Sequence, residues 1–392
     1  MAVKLTPLAF QSQDIALPEW ISLLTLCLAP VFAHVVAGVP TPTHLTPKKL
    51  RWHDMLAHYN PASIAWRYAA IADRRLRARD WTCADVAAAN ALFWTAEGWN
   101  GSETMVAASA PYVIHLPEKP RATFLSWDTV KTLVVTVQGF QVLYVCFVVS
   151  TRLKTMPTSF PVNELFFPVA VLGLQRLWAA LWLTDDFAYT PRDISQPSAD
   201  VGPLHSTANA PLKMLPTNRY HPPSFWPSRI FRALYVVPLL ATWASCVEAF
   251  MPRSAGSPPS SPTPATVFMC LAAGLIYLPL TIAIFTYYTA RHGCRSTIIP
   301  CIGSTWYKIL TMLNFVAALA VMVVSAMETR RAPCGKYTTT GLESDFRICP
   351  GLVDVAPGGV FVLGSRVGFN NSTTAVQQEF QISNFTGVCQ TL

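Results

Sequence analysis

Six long apolar stretches, nearly free of charge, dominate the chain at about residues 20–39, 132–150, 165–184, 230–251, 265–290 and 309–327. A bilayer core about 30 Å thick is crossed by about 20 apolar residues of helix, so each stretch has the length of a span. Arg176 interrupts the third. The pattern predicts an all-α integral membrane protein of about six transmembrane helices. Its parts would be an N-terminal segment and first helix over 1–39, a basic helical cytosolic loop over 40–131, and a bundle over 132–328 containing a loop at 185–229. A small, partly β lumenal or extracellular tail would fill 329–392. The first stretch has an alternative reading as a secretory signal peptide, with a small-residue site near Ala37 and Gly38. Only Lys4 precedes it to balance Asp14 and Glu19, a poor basic leader, so a retained helix is the preferred reading.

Between the first two stretches, polar positions carry helix signals. Asn60 before Pro61 marks a helix start, and 62–79 then runs without Gly or Pro. Ile64, Tyr68 and Ile71 share a stripe, whereas Asp73 to Asp80 is basic on nearly every side. Such a helix either lies on anionic cytosolic lipid or docks on the bundle. A second helix is expected over Cys83 to Trp94, with Thr82 as N-cap and Asp85 completing a capping box. Trp81, Trp94 and Trp99 suit an interface belt. Segment 186–228 shows neither helical nor strand period and reads as a linker, and the Pro- and Ser-rich 252–264 reads as a stiff connection.

Hydrophobic residues make up 52% of the 392 and charged ones 13%, so the charges must crowd into the loops. The net charge of +8 does not indicate nucleic acid, because the Lys and Arg flank apolar segments, as topology signals do. With the N-terminus outside, loops 40–131, 185–232 and 291–308 fall in the cytosol. They hold about twice as many basic residues as the other side, Lys48, Lys49, Arg51 and Lys308 among them. The tail agrees with that orientation. It has glycosylation patterns at Asn370, Asn371 and Asn384, and a Cys334 to Cys349 bridge is plausible there, as is either cysteine pairing with Cys389. Residues 359–369 read as a small hairpin.

Polar residues inside the apolar runs are costly and mark candidate function. His34, Gln138, Gln141, Arg176 and Asn314 all fall about 7–15 Å from the cytosolic ends of their helices, and Gln175 joins that layer. As a site, the layer would be a polar cavity in which Arg176 binds an anionic or carbonyl-bearing ligand. Without a ligand, the same residues make interhelical hydrogen bonds and Arg176 snorkels. Asp185 and Asp186 lack the third acid of a diphosphate-metal cluster, since Tyr189 stands in its place. His53, Asp54 and His58 have poor spacing for a metal. No metal site is therefore expected, and no cofactor-binding motif, Gly-rich nucleotide loop or Gly-x-Ser-x-Gly elbow occurs. Cys294 and Cys301, close to the cytosolic side, are candidates for acylation.

The segment Tyr59 to Trp81, continued by Asn90 to Trp94, Gly98 to Glu103 and Trp182 to Phe187, resembles a group of multi-pass membrane proteins of filamentous fungi, mainly over residues 52–187. That resemblance implies a fungal membrane protein and brings no catalytic residue with it. The reading is a non-catalytic or ligand-binding membrane protein whose partners are membrane lipid and a ligand or protein not identified by sequence. An intramembrane enzyme acting on a lipid or isoprenoid-like substrate in secondary metabolism, or a small-solute transporter, are the alternatives. No internal repeat of the kind common in transporters is visible.

Overall fold

A computed structural model describes residues 8, 10–153, 159–190, 219–250, 264–341, 349, 352–353 and 362–363. In chain order the elements are α1 (Leu17–Gly38), β1 (Pro42–His44), α2 (Trp52–Leu56), α3 (Pro61–Arg77), α4 (Cys83–Asn90), β2 (Leu92–Thr95), β3 (Gly98–Asn100) and α5 (Met105–Ala108). There follow β4 (Val113–His115), α6 (Trp127–Leu153), α7 (Phe167–Gly173), β5 (Ala188–Tyr189), α8 (Trp226–Phe250), α9 (Ala265–His292) and α10 (Thr305–Glu328). Among the described residues, four two-residue strands follow, β6 (Arg330–Arg331), β7 (Tyr337–Thr338), β8 (Leu352–Val353) and β9 (Val362–Leu363).

The fold is mostly helical, and among the described residues three helices are long and apolar enough to cross a membrane. These are α1, α9 and α10, with mean hydropathies of 2.0, 2.3 and 2.3. Their outward faces are apolar, with Phe32, Ile276 and Leu313 each more than 60% exposed. Exposed aromatic residues sit at one end of several long helices: Trp127 at the start of α6, Trp226 at the start of α8, Tyr287 late in α9 and Trp306 at the start of α10. So large an apolar surface, edged by indole and phenol rings, marks the protein as membrane-embedded.

The third apolar run departs from expectation. In place of one helix over 165–184 the chain forms the seven-residue α7 and then 3-10 turns at Leu174–Trp178 and Ala180–Trp182. Pro168 opens α7, and the tighter turn that follows brings the Arg176 guanidinium to the end of α1. The segment still joins the two ends of the bundle. Near its start the Val162 amide donates to Thr329 Oγ1 at 3.1 Å, past the end of α10, and near its finish the Leu181 carbonyl accepts from Ala122 N at 2.8 Å, before α6.

The long helices alternate in direction between those two ends. At one, the Gln11 amide donates to the Met327 carbonyl, Arg331 pairs with Glu19 at 3.1 Å, and the Glu328 carboxylate accepts from Ala265 N and Thr266 N at 3.0 and 2.8 Å. Glu328 thus satisfies the free amides at the start of α9 with a charge that favours a helix N-terminus. Cys334 and Cys349 are joined by a disulfide at this end, with their Cα atoms 5.7 Å apart. β8 pairs antiparallel with β9, so Val362–Leu363 is a strand but its partner is Leu352–Val353, outside the hairpin expected over 359–369; residues 366–369 lie outside the described residues. Asn370, Asn371, Asn384 and Cys389 lie outside the described residues.

At the other end the loops build a cap around α3. The Asn60 side chain accepts from Ala62 N at 2.9 Å and Pro61 occupies the first turn, as the sequence predicts. The interfacial reading fails, however, because α3 is the buried centre of the cap. Trp66, Ala69, Ala70 and Ile71 are fully enclosed, Arg74 and Arg77 are at most 1% exposed, and Asp73 is inaccessible. A run of alanines lets neighbouring elements approach closely, and Trp66 meets Phe285 of α9 edge-on at 5.3 Å. The Thr82–Asp85 capping box forms, but α4 ends at Asn90, whose amide donates to the Trp182 carbonyl at 2.7 Å. Leu92–Thr95 then becomes the middle strand of a β1-β2-β3 sheet, where its aromatic residues fit a half-buried pleat. Gly98, at φ +111, supplies the turn that pairs β2 with β3. Cys294 and Cys301 are buried at 0% and 3% exposure, so the acylation reading is corrected: neither thiol is presented to an acyl donor.

Candidate functional site

Of the expected polar layer, the structure gathers Arg176, Gln175 and His34, and it gives Arg176 a full set of protein partners. Its Nε donates to Thr132 Oγ1 at 2.7 Å and its Nη2 to Asp128 Oδ1 at 3.0 Å. Nη1 reaches Tyr68 OH at 3.1 Å and also donates to the Ala37 carbonyl. Arg67 from α3 donates to the adjacent Gly38 carbonyl at 2.9 Å and to the Asn90 carbonyl. Two guanidiniums therefore close the last turn of α1, where the carbonyls are free and the dipole is negative. Arg176 is a positioning residue for three segments and has little capacity left for a ligand.

His34 is buried beside Gly173, with the Pro61 backbone as a polar partner. Gln175 is buried with Oε1 unpartnered. Gln138 is half-buried and Gln141 exposed on α6, outside this network. Asn314 is half-buried on α10, which packs mainly against α9 and α2, so it does not join Arg176. Asp185 and Asp186 are engaged separately, by Lys131 at 3.1 Å and by His115 at 2.9 Å.

A cleft of about 600 Å³ opens in the cap, within the size range of ligand pockets. One wall is the β2–β3 hairpin, with Trp94, Trp99 and Asn100, and another is the stretch from Lys48 to Asp54. The segment from Ser296 to Gly303 and Lys308 of α10 complete it. The buried α3 positions two of these walls. Arg74 Nη2 donates to the Gly101 carbonyl at 2.5 Å and the Arg295 carbonyl at 3.1 Å, and Trp66 Nε1 donates to the Ser296 carbonyl at 3.0 Å. Gly101 allows the walls to meet, since a Cβ there would stand 2.6 Å from Thr297 Oγ1.

The charge in the cleft is unbalanced. Lys48, Lys49, Arg51 and Lys308 line it against Asp54 and Glu97. Asp54 is already taken by Lys308 at 2.5 Å, with His53 Nε2 at 3.7 Å. Burial alone would raise the Asp54 carboxyl, but the Lys308 hydrogen bond and charge, with the Arg51 amide, hold it below its usual pKa. Lys48 lies over the Trp94 ring at 5.7 Å and donates to the Ala96 carbonyl at 3.2 Å. Lys49 and Arg51 are exposed and form no ion pair among the described residues. The start of α10 adds to this field. Ser304, its N-cap, makes no side-chain cap and instead donates to the Cys301 carbonyl at 2.5 Å, leaving the positive end of the helix beside Gly303 and the cleft. Lys308, one turn in, is a cation where a helix dipole disfavours one. Sequence reading names Lys48, Lys49, Arg51 and Lys308 only as topology charges, because nothing local signals that residues 250 positions apart share a wall.

Comparison with known proteins gives no match to any family model, to any curated protein or to any solved structure.

Proposed function

We propose that the chain is a multi-pass membrane protein that holds an anionic ligand, such as a phosphate ester, in its cap cleft and acts by binding rather than by catalysis. The observation that carries this reading is the convergence of Lys48, Lys49, Arg51 and an uncapped helix N-terminus on one cleft, with a single carboxylate, Glu97, left to oppose them once Lys308 and Asp54 have paired. In the same reading the chain crosses the membrane six times, the third time by the broken 160–183 segment, with α6 and α8 as spans of 27 and 25 residues. The cap, which holds the larger share of Lys and Arg, faces the cytosol, and the disulfide-bearing tail faces the lumen or exterior along the secretory pathway. The resemblance to multi-pass proteins of filamentous fungi fits this placement.

Two measurements test it. A glycan on the tail, seen as an endoglycosidase-sensitive shift that disappears in Asn370→Gln, Asn371→Gln and Asn384→Gln together, is the expected topology result; a glycan on Asn100, which heads an Asn-Gly-Ser acceptor pattern in the cap, would place the cap in the lumen and overturn it. For binding, pyrophosphate added to the purified protein should raise its unfolding temperature, with stabilisation approaching about 2.7 kcal/mol at a hundredfold excess over Kd. The Lys49→Glu, Arg51→Glu double variant should lose that response, and salt should weaken it as the screening length falls from about 10 Å at 0.1 M to about 3 Å at 1 M. A response identical in the double variant, or none in the native chain, would remove the cleft as an anion site.

A further inference from the structure

Resting on that reading, we infer that the anion is the phosphate head of a membrane lipid from the adjoining leaflet, whose chains lie along the outer face of α10. Trp52 sits between the lining residues Arg51 and His53, and Trp306 lies two residues before Lys308; they are 75% and 47% exposed. A site for a soluble anion gains nothing from two indoles facing water. At the headgroup level of a bilayer both rings find the environment they prefer, which sets the mouth of the cleft at that depth.

The apolar surface below the mouth continues the path. Ile309, Leu313, Val316 and Val323 on α10 are 55%, 61%, 58% and 50% exposed. Their spacing of four, three and seven places them on one stripe, about 100° around the helix from Lys308. From Ile309 to Val323 the helix rises about 21 Å, more than the roughly 15 Å of one leaflet of hydrocarbon. A lipid with its phosphate between Lys49, Arg51 and Lys308 would lay its chains on this stripe without displacing any protein contact. The cationic cleft then supplies selectivity for an anionic head, and the α10 stripe supplies the apolar area that a free phosphate cannot use.

The test uses the full chain in nanodiscs of phosphatidylcholine alone or of phosphatidylcholine with phosphatidic acid, followed by detergent extraction and mass spectrometry of the retained lipid. Phosphatidic acid should be retained over phosphatidylcholine, and Lys49→Glu, Arg51→Glu should lower that retention by at least about tenfold. Lys49→Gln, Arg51→Gln gives a milder check should charge reversal disturb folding. Trp306→Ser should weaken lipid retention and leave pyrophosphate binding unchanged. Binding of pyrophosphate without selective retention of phosphatidic acid would overturn the lipid assignment while the anion site stands; binding of neither would overturn both. Equal retention of phosphatidic acid by native and charge-reversed chains would show an annular lipid and sink the inference.

Discussion

Arg176→Ala is expected to be the most damaging single substitution in the bundle, lowering stability by about 3–5 kcal/mol, the usual cost of breaking a buried ion pair by removing one member. The change leaves the Asp128 carboxylate, at 10% side-chain exposure, with only the more distant Lys131 at 3.6 Å, and leaves the Ala37 carbonyl and Tyr68 hydroxyl without their donor. Arg176→Lys should recover only part of the loss, because one ammonium cannot span Thr132, Asp128, Tyr68 and the end of α1 as a planar five-donor fork does. Asp128→Asn should be milder than either, since it keeps a group that can accept from Arg176. Unfolding temperature of the purified protein, with protease resistance of the 160–183 segment as a second readout, measures the series. Native stability in Arg176→Ala would contradict the structural role and return Arg176 to the list of ligand-binding candidates.

The cap has an equivalent lock at Asp73. Its carboxylate, fully buried, accepts from Arg77 Nε at 2.8 Å and from Ser228 Oγ at 2.5 Å, with Arg232 Nε at 3.9 Å. Arg77 reaches on to Glu103 and to the His221 carbonyl at 3.2 Å. The network fastens α3 to the start of α8, and hence the cap to the bundle. Asp73→Ala leaves two guanidiniums buried with too little opposing charge, and a loss of about 3–5 kcal/mol is expected. Ser228→Ala removes one hydrogen bond from the same carboxylate and should cost about 1 kcal/mol. Limited proteolysis within 219–228, together with the unfolding temperature, distinguishes the two. Equal effects of the two substitutions would mean that the ion pairs contribute no more than a single hydrogen bond.

Arg176 and Arg77 also show why part of the molecule was readable in advance and part was not. Asn60 with Pro61, and Thr82 with Asp85, act on amides two or three residues away, and the structure contains both starts as the sequence predicts. α1, α9 and α10 were equally legible, since hydropathy averaged over a helix length is a local property. The layer built from depth alone is only partly gathered by the structure. His34 and Arg176 are near one another, and Gln175 is buried next to Arg176 in the chain, but depth says nothing about the direction a side chain takes, so Gln141 faces outward and Asn314 belongs to another part of the bundle. The basic run after Asp73 was misleading for a related reason. Its charge suggested lipid or water, whereas Asp73, Glu103 and the Gly101 and Arg295 carbonyls accept it indoors.

What the sequence determined by itself is the membrane class, the positions of the long helices except the broken third segment, and the caps that start the cap helices, because each follows from interactions within about one turn or from the free energy of moving apolar residues out of water. What only the tertiary structure decided is which charges are spent on the protein and which remain for a partner. Arg77 and Arg176 are consumed by carboxylates and carbonyls up to 144 positions away, and buried Arg74 rests on two carbonyls through Nη2 alone, with Nε and Nη1 unpartnered among the described residues, while Lys49 and Arg51 face an open cleft. A charge costs too much to bury unpaired, so its fate depends on the partner the fold delivers, and that partner is not encoded beside it.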